Sequence, residues 1–339
     1  MKPCRRWCRS LGLVLWLGWL PFALAAARKG DRALPVWPPA PETPRIAFVQ
    51  FLTGPADLGW TRSFGARVIG FIIGDNRREA RFKPAGVALD GAGNILVSDT
   101  DAGEVCGFEA RRKKFHRWGR IGPYRLQSPV GVAMGADECY VTDSGLGALI
   151  AFGLDGKVRW AVTNGLERPS GVVVEGGKIF VAEAGAHRIS VFDGRGKKMS
   201  EFGKRGSGPC EFNFPTHIAG LPDGRLLVTD AMNARVQILD PDGKPLSVVG
   251  SRGDGSGHFD RPKGVAADKS GHIYVVDALF DNVQVFDAEG RFLLNFGEPG
   301  RGVGEFWMPA GIAVGPDNRI LVADAYNRRV QVFRYLGEP

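Results

Sequence analysis

An all-β fold made of six copies of one four-stranded unit is what this 339-residue sequence predicts, on three observations. A proline recurs at Pro84, Pro129, Pro169, Pro215, Pro262 and Pro309, at spacings of 45, 40, 46, 47 and 47 residues. Two positions after it stand Gly86, Gly131, Gly171, His217, Gly264 and Gly311, and each copy's second apolar run ends in an acid: Asp99, Asp143, Glu183, Asp230, Asp277 and Asp324. Nine residues past the acid comes Phe108, Phe152, Phe192, Leu239, Phe286 or Phe333. A period in the forties with several strands per copy marks a β-propeller.

The stretch from Arg261 to Phe286 shows why each unit folds as it does. Pro262 to Ala267 opens a strand, Asp268-Lys269-Ser270-Gly271 is a tight turn, His272 to Val276 is a β-branched and aromatic run, and Asn282 to Phe286 is a third strand. A fourth run follows in most units, as in Arg291 to Gly297 or Pro245 to Gly250. The sixth unit stops at Arg334-Tyr335 without one, whereas Arg45 to Gly54 precedes the first unit and is similar to Arg291 to Gly297. The expected fold is a six-bladed β-propeller of four-stranded antiparallel blades, its ring closed by the N-terminal strand joining the last blade, which removes an exposed sheet edge.

Ahead of the repeat, Lys2, Arg5, Arg6 and Arg9 form a basic region, Leu11 to Leu24 an apolar one, and Ala23-Leu24-Ala25 a cleavage site, so residues 1–26 read as a signal peptide. The protein is expected to be exported, to the periplasm or beyond the cell. The alternative is an uncleaved N-terminal anchor, the one case in which membrane contact is expected, although the apolar run is short of the ~20 residues a spanning helix needs. Residues 27–44 read as a linker, with five of the chain's 22 prolines between Arg28 and Pro44, and 45–339 as the propeller. One stretch departs from the strand pattern: Trp60, Phe64, Val68, Phe71 and Ile72 fall at helical spacing, predicting a short amphipathic insertion over 60–74.

With the four signal-peptide cations set aside, 40 basic residues face 36 acidic ones, a mild basic excess that excludes a nucleic-acid-binding stripe. Beyond the signal peptide, three cysteines remain, Cys106, Cys139 and Cys210, which cannot all pair within one chain. No spacing among them suits haem attachment or structural zinc. The Asp-Gly clusters, such as Asp240-Pro241-Asp242-Gly243, supply what hairpin turns need and do not extend into a full calcium loop.

The motif P-x-G-V-A-x-D-x-x-G-x-I-Y-V-x-D, followed by N-x-R-V-Q-V-F in its best copies, resembles the NHL repeat of six-bladed propellers. The resemblance runs from residue 82 to 335, is closest over Arg225 to Leu239 and Asn318 to Phe333, and is weakest in the second unit, where Gly145-Leu146-Gly147-Ala148 replaces the Asn and Arg positions. NHL-like propellers include peptidyl-hydroxyglycine amidating lyases, whose zinc-binding histidines directly follow the blade-opening proline. Here those positions are Ala85, Val130, Ser170, Thr216, Lys263 and Ala310, without a histidine. The NHL domains of tripartite-motif proteins bind RNA, but no cysteine-rich zinc modules precede this propeller.

Functional information is expected where the copies disagree. The six repeated acids read as architectural, each able to accept backbone N–H groups or to pair with the arginine five residues on. His217 replaces glycine at the start of an innermost strand, near the channel mouth, where an imidazole can act as ligand or proton carrier. His187, in the turn of the preceding unit, lies on the same face and could converge with it. Lys83, Arg168, Arg261 and Lys263 flank the prolines, and with Arg235 and Arg329 they would form a cationic rim suited to an anionic ligand or an acidic partner. The expectation is a monomeric, non-enzymatic binding or scaffold protein that uses its loop face and channel mouth. Its partner would be another envelope or secreted protein or an anionic ligand, with no catalytic residue, metal or cofactor. A metal-dependent lyase or a lactonase-like hydrolase at the channel mouth is the alternative.

Overall fold

The computed structural model describes residues 34–60 and 82–337. They form six four-stranded antiparallel blades around a central channel. The innermost strands are Pro84–Leu89, Pro129–Met134, Pro169–Glu175, Pro215–Gly220, Pro262–Ala267 and Ile312–Val314, numbered here as blades 1 to 6. In blades 1 to 5 the four strands follow one another outward in chain order. Blade 6 takes its fourth strand from Ile46–Leu52, which pairs antiparallel with Arg329–Tyr335 from Ile46 opposite Tyr335 to Leu52 opposite Val330. The ring closure expected from the sequence is therefore present.

A fifth strand, Val36–Trp37, pairs with Ile46 and Ala47 on the outside of blade 6. It lies within the segment expected to be linker. Its Trp37 ring stands 5.7 Å from Phe333 and 6.0 Å from Phe296, so this part of the segment is packed against blades 5 and 6. The expected signal peptide, and the expected helix over 60–74 apart from Trp60, lie outside the described residues.

The core sits between blades. Because successive strand residues point to opposite faces, neighbours in sequence serve different seams. Leu96 and Val105 of blade 1 pack with Val141 and Ile150 of blade 2, while Val97 and Phe108 pack with Leu321 and Val332 of blade 6. Second strands such as Ile95–Asp99 are consequently buried on both faces. Each large apolar side chain placed there contributes roughly 1.5–3 kcal/mol.

The hairpin aspartates do what the turn chemistry predicts. Asp240 Oδ1 accepts the N–H groups of Asp242 and Lys244, at 3.0 and 2.8 Å, and Asp287 does the same for Glu289 and Arg291. The three described cysteines are unpaired. Cys106 and Cys139 are buried, and burial pushes both thiols up to about 12, so they are inert packing residues.

Candidate ligand site at the channel mouth

All six repeated acids are spent on architecture. Asp143 accepts N–H groups from Gln127, Ser128, Gly145 and Leu146, and Asp277 does so from Asp260, Arg261, Leu279 and Phe280. In blades 3, 4 and 6 an arginine joins. Arg188 reaches Glu183 at 3.0 Å, Arg235 reaches Asp230 at 2.8 Å and Arg329 reaches Asp324 at 2.7 Å. Arg235 also donates to the carbonyls of Gly208 and Glu211, and Arg329 to those of Arg301, Gly302 and Glu305. Their guanidinium groups thus tie the loop between blades to the acid, rather than standing on a ligand-facing rim.

The other candidates separate into occupied and unoccupied groups. His187 Nδ1 accepts the Phe214 N–H at 3.1 Å, and its ring meets the Phe214 ring edge-on at 4.7 Å. In blade 5, Asp281 fills the corresponding position and accepts the Met308 N–H at 2.6 Å. His187 is therefore a cap for the next blade's entry loop, and it makes no bond to His217. Lys83 pairs with Asp101 at 3.1 Å and lies 4.6 Å over the Tyr326 ring. Arg168 is exposed and stands 6.0 Å over Phe214. Among the described residues, the Arg261 guanidinium and the Lys263 ammonium have no hydrogen-bond or ion-pair partner. Lys263 is half-buried, and burial, with Arg261 and Lys83 nearby, lowers its pKa.

What makes His217 unusual is the way adjacent innermost strands join. In blade 1, Ser98 Oγ accepts the Gly86 N–H at 2.8 Å and donates to Val130 O of blade 2 at 2.6 Å. In blade 2, Thr142 Oγ1 accepts the Gly131 N–H at 2.9 Å and donates to Ser170 O of blade 3. Between blades 3 and 4, Ser170 Oγ reaches Ala182 O and Pro215 O, at 3.0 and 3.1 Å. Between blades 5 and 6, Gly264 N–H donates directly to Ala310 O at 2.9 Å. Glycine is required for this closeness. A Cβ on Gly264 would lie 2.5 Å from Ala310 O, and one on Gly311 2.7 Å from Ala85 O, with Gly86 and Gly131 at least as tight.

Blade 4 has the hydroxyl for such a stitch, Thr229, but has His217 in place of the glycine. Pairing of Pro215 with Asp230 and of Ile218 with Val228 places Thr229 opposite the bulge formed by Thr216 and His217. There Thr229 Oγ1, Thr216 Oγ1, and both Nδ1 and Nε2 of His217 are buried without a hydrogen-bond partner. Burial, followed by the Lys263 charge, lowers His217 to about 4, so the imidazole is neutral at physiological pH. The other four histidines all have polar neighbours or hydrogen bonds. His272 meets Asp268 at 2.8 Å, His258 meets Ser251 at 3.0 Å and His187 holds Phe214, while His116 Nε2, buried without a hydrogen bond, stands 3.5 Å from the Glu109 carboxylate.

The channel between the innermost strands has a volume of about 210 Å³, and His217 is the one titratable side chain among the described residues on its wall. Among the described residues, the channel mouth brings together no His, Cys, Asp and Glu set for a metal ion. The positions after the repeat prolines carry no imidazole, and the described residues contain no group of three His, Cys, Asp or Glu able to hold an ion.

The NHL repeat model matches residues 166–192 and 306–333, within blade 3 and blade 6. The chain carries NHL repeats. Among solved structures, it is similar to virginiamycin B lyase from Staphylococcus aureus, at 15% identity and a TM-score of 0.56, over 75% of this chain and 95% of that one. A gluconolactonase from Xanthomonas campestris aligns at 15% identity and 0.57, over 75% and 88% of the two chains. A nidogen/laminin complex aligns at 18% identity and 0.55, over 69% and 86%. These likenesses establish the propeller fold and reach across enzymes and binding proteins. No curated protein matches the chain in sequence.

Of the sequence-derived candidates, the structure leaves His217, Lys263 and Arg261 unpartnered near the channel mouth. It adds Thr216 and Thr229, which sequence reasoning missed as polar groups of the site. The available signal was a hydroxyl at the Ser98 and Thr142 position in a unit that lacks the accompanying glycine.

Proposed function

We propose that this protein is an exported, non-enzymatic binding propeller that takes an anion at the seam between blades 4 and 5. The observation that carries this reading is the cluster of four buried, unpartnered polar atoms of Thr216, His217 and Thr229, with the Lys263 charge close enough to act on His217. Buried polar groups are almost always satisfied, so such a concentration marks a place where bound molecules complete the hydrogen bonding. Two hydroxyls, an imidazole N–H and an ammonium all donate, and the Arg261 and Lys83 charges lie close enough to act on Lys263. An oxyanion satisfies these groups together. Fold similarity to a lyase and a lactonase does not by itself carry their chemistry, because propellers host unrelated activities on one scaffold.

Calorimetric titration with acetate and with inorganic phosphate tests the reading. Binding of at least one anion is expected, weakening with added salt and falling about ten-fold or more in Lys263→Met. Equal affinity in the parent and in the Lys263→Met and His217→Gly variants would overturn it. A second surface suits a protein partner: exposed Trp307 and Tyr326 lie 5.4 Å apart, and Arg301 stacks 4.5 Å over Trp307, a Trp, Tyr and Arg grouping of the kind that anchors interfaces. Cross-linking in the envelope fraction, with and without Trp307→Ala, checks that contact.

A further inference from the structure

Resting on the reading of the Trp307 surface as a docking site, we infer that its partner is an acidic protein segment with apolar side chains between its carboxylates. Two positions after the repeated acid, in the turn between second and third strands, blades 4, 5 and 6 carry Met232, Leu279 and Tyr326. Blades 1, 2 and 3 carry Asp101, Gly145 and Gly185 there. The three apolar residues are 42–48 % exposed. Tyr326 N–H donates to Trp307 O at 3.1 Å and Met232 N–H to Asn213 O at 3.0 Å, so these turns lie beside the entry loops, on the same face. Blades 4 to 6 therefore present apolar side chains at turns where blades 1 to 3 present none, a grouping that marks an interaction surface.

The same blades carry unpaired cations. Among the described residues, the side chains of Arg261, Lys263, Arg301 and Arg328 have no carboxylate partner. The acids in the turns and entry loops of blades 5, 6 and 1 are already engaged, Asp101 with Lys83, Asp260 with Arg252 and Asp281 with the Met308 N–H. Lys83 joins the two features, because its ammonium lies 4.6 Å over the Tyr326 ring and close enough to Lys263 to act on its charge. Apolar anchors interleaved with uncompensated positive charge complement a segment of the opposite pattern. A second copy of this chain, meeting itself about a two-fold axis, would set these cations against one another. A bilayer takes up projecting side chains, but the Trp307 and Tyr326 rings stand 5.4 Å apart with Arg301 and Lys83 over their faces, a flush platform. Leu279 and Met232 offer nothing to a phosphodiester backbone.

Fluorescence anisotropy on the full chain tests this with three labelled peptides: three tandem Glu-Phe-Asp-Leu units, a basic counterpart of Lys-Phe-Arg-Leu units, and an acidic one of Glu-Ser-Asp-Gly units. The first is expected to bind at least about ten-fold more tightly than either of the others, and to weaken with added salt. Its affinity is expected to fall about ten-fold in Trp307→Ala and in the double variant Arg261→Glu with Arg328→Glu, whose native side chains make no bond among the described residues. Equal or tighter binding of the basic peptide, lost in Trp307→Ala, would overturn the acidic class and leave the docking surface standing. Equal binding of the Glu-Ser-Asp-Gly peptide would overturn the apolar requirement. Affinities unchanged by Trp307→Ala would overturn the docking surface itself. Binding of none of the peptides would overturn the acidic class alone if Trp307→Ala still abolishes the envelope cross-link, and both readings if it does not. Co-sedimentation with phosphatidylglycerol vesicles in place of peptide binding, lost in Trp307→Ala, would overturn the proposal in favour of a membrane.

Discussion

The seam between blades 2 and 3 and the seam between blades 4 and 5 start from nearly the same sequence and end in opposite states. Thr142 and Thr229 both precede the repeated acid, and both face a bulge in the innermost strand. Thr142 receives the Gly131 N–H and donates to Ser170 O, so two strands of different blades are joined through one hydroxyl. Thr229 has neither bond. The difference comes from a single position, glycine in blade 2 and His217 in blade 4. The glycine lets the next blade's carbonyl reach the threonine, whereas the imidazole takes the glycine's place, and its two nitrogens and Thr229 Oγ1 are buried without a partner. One seam is joined through its hydroxyl, and the other buries its hydroxyl unjoined.

The largest expected effect comes from disturbing the stitched seam. In Gly131→Ala, the new Cβ overlaps Ser170 O and also meets Thr142 Oγ1 at 2.8 Å, so the innermost strands must move apart. A loss of about 3–5 kcal/mol in unfolding free energy is expected by denaturant titration. A loss under about 1 kcal/mol would mean that the seam is not held by backbone proximity.

The opposite substitution carries a pH signature. In the unfolded chain His217 titrates near its ordinary value of 6.5, and in the fold near 4, lowered first by burial and then by Lys263. Between those values the unfolded chain binds the extra proton, so this group's contribution to stability is full above pH 6.5 and declines as the pH falls toward 4. The decline amounts to roughly 3 kcal/mol. The charged side chains acting here are Lys263 and, through it, Arg261 and Lys83. His217→Gly removes the decline and lets Thr229 take up the bonding of its counterparts, so thermal unfolding at pH 5 should occur at a higher temperature than in the parent. A parent and variant with parallel pH profiles would show that the imidazole is not held neutral.

The smallest effect, and the finest comparison, pairs Thr142→Val with Thr229→Val. Removing the stitched hydroxyl leaves the Gly131 N–H and one acceptor of Ser170 unsatisfied, for a loss of about 2–3 kcal/mol. Removing the orphaned hydroxyl breaks no bond within the protein, so a change within about 0.5 kcal/mol is expected. Equal losses in the two variants, by chemical denaturation without added ligand, would show that the seams are equivalent.

Much of the fold was legible because the repeat is local. Proline, glycine, acid and aromatic fall at constant offsets within each unit, and strand alternation assigns the faces. The N-terminal strand's similarity to Arg291 to Gly297 identified its place in blade 6. His217 was also legible, as the single departure from glycine among six equivalent positions. Its state was not, because partnering depends on atoms of the next blade, tens of residues away in sequence. His187 showed the same limit, since the group that occupies it is the Phe214 N–H, a bond visible only once blades 3 and 4 are side by side. Arg235 and Arg329 looked like a rim because their spacing from the acid does not reveal the loop carbonyls that surround them.

By itself, then, the sequence determined the number of blades, the order of strands, the closing strand and the unusual residue at 217, all of which follow from periodicity and short-range backbone preference. The tertiary structure decided which cations are consumed and which remain, and that Thr216, His217 and Thr229 form one unsatisfied cluster. Those outcomes depend on how closely two innermost strands approach. That distance is set by packing across the seam, where a side chain in place of glycine separates a stitched joint from an unstitched one.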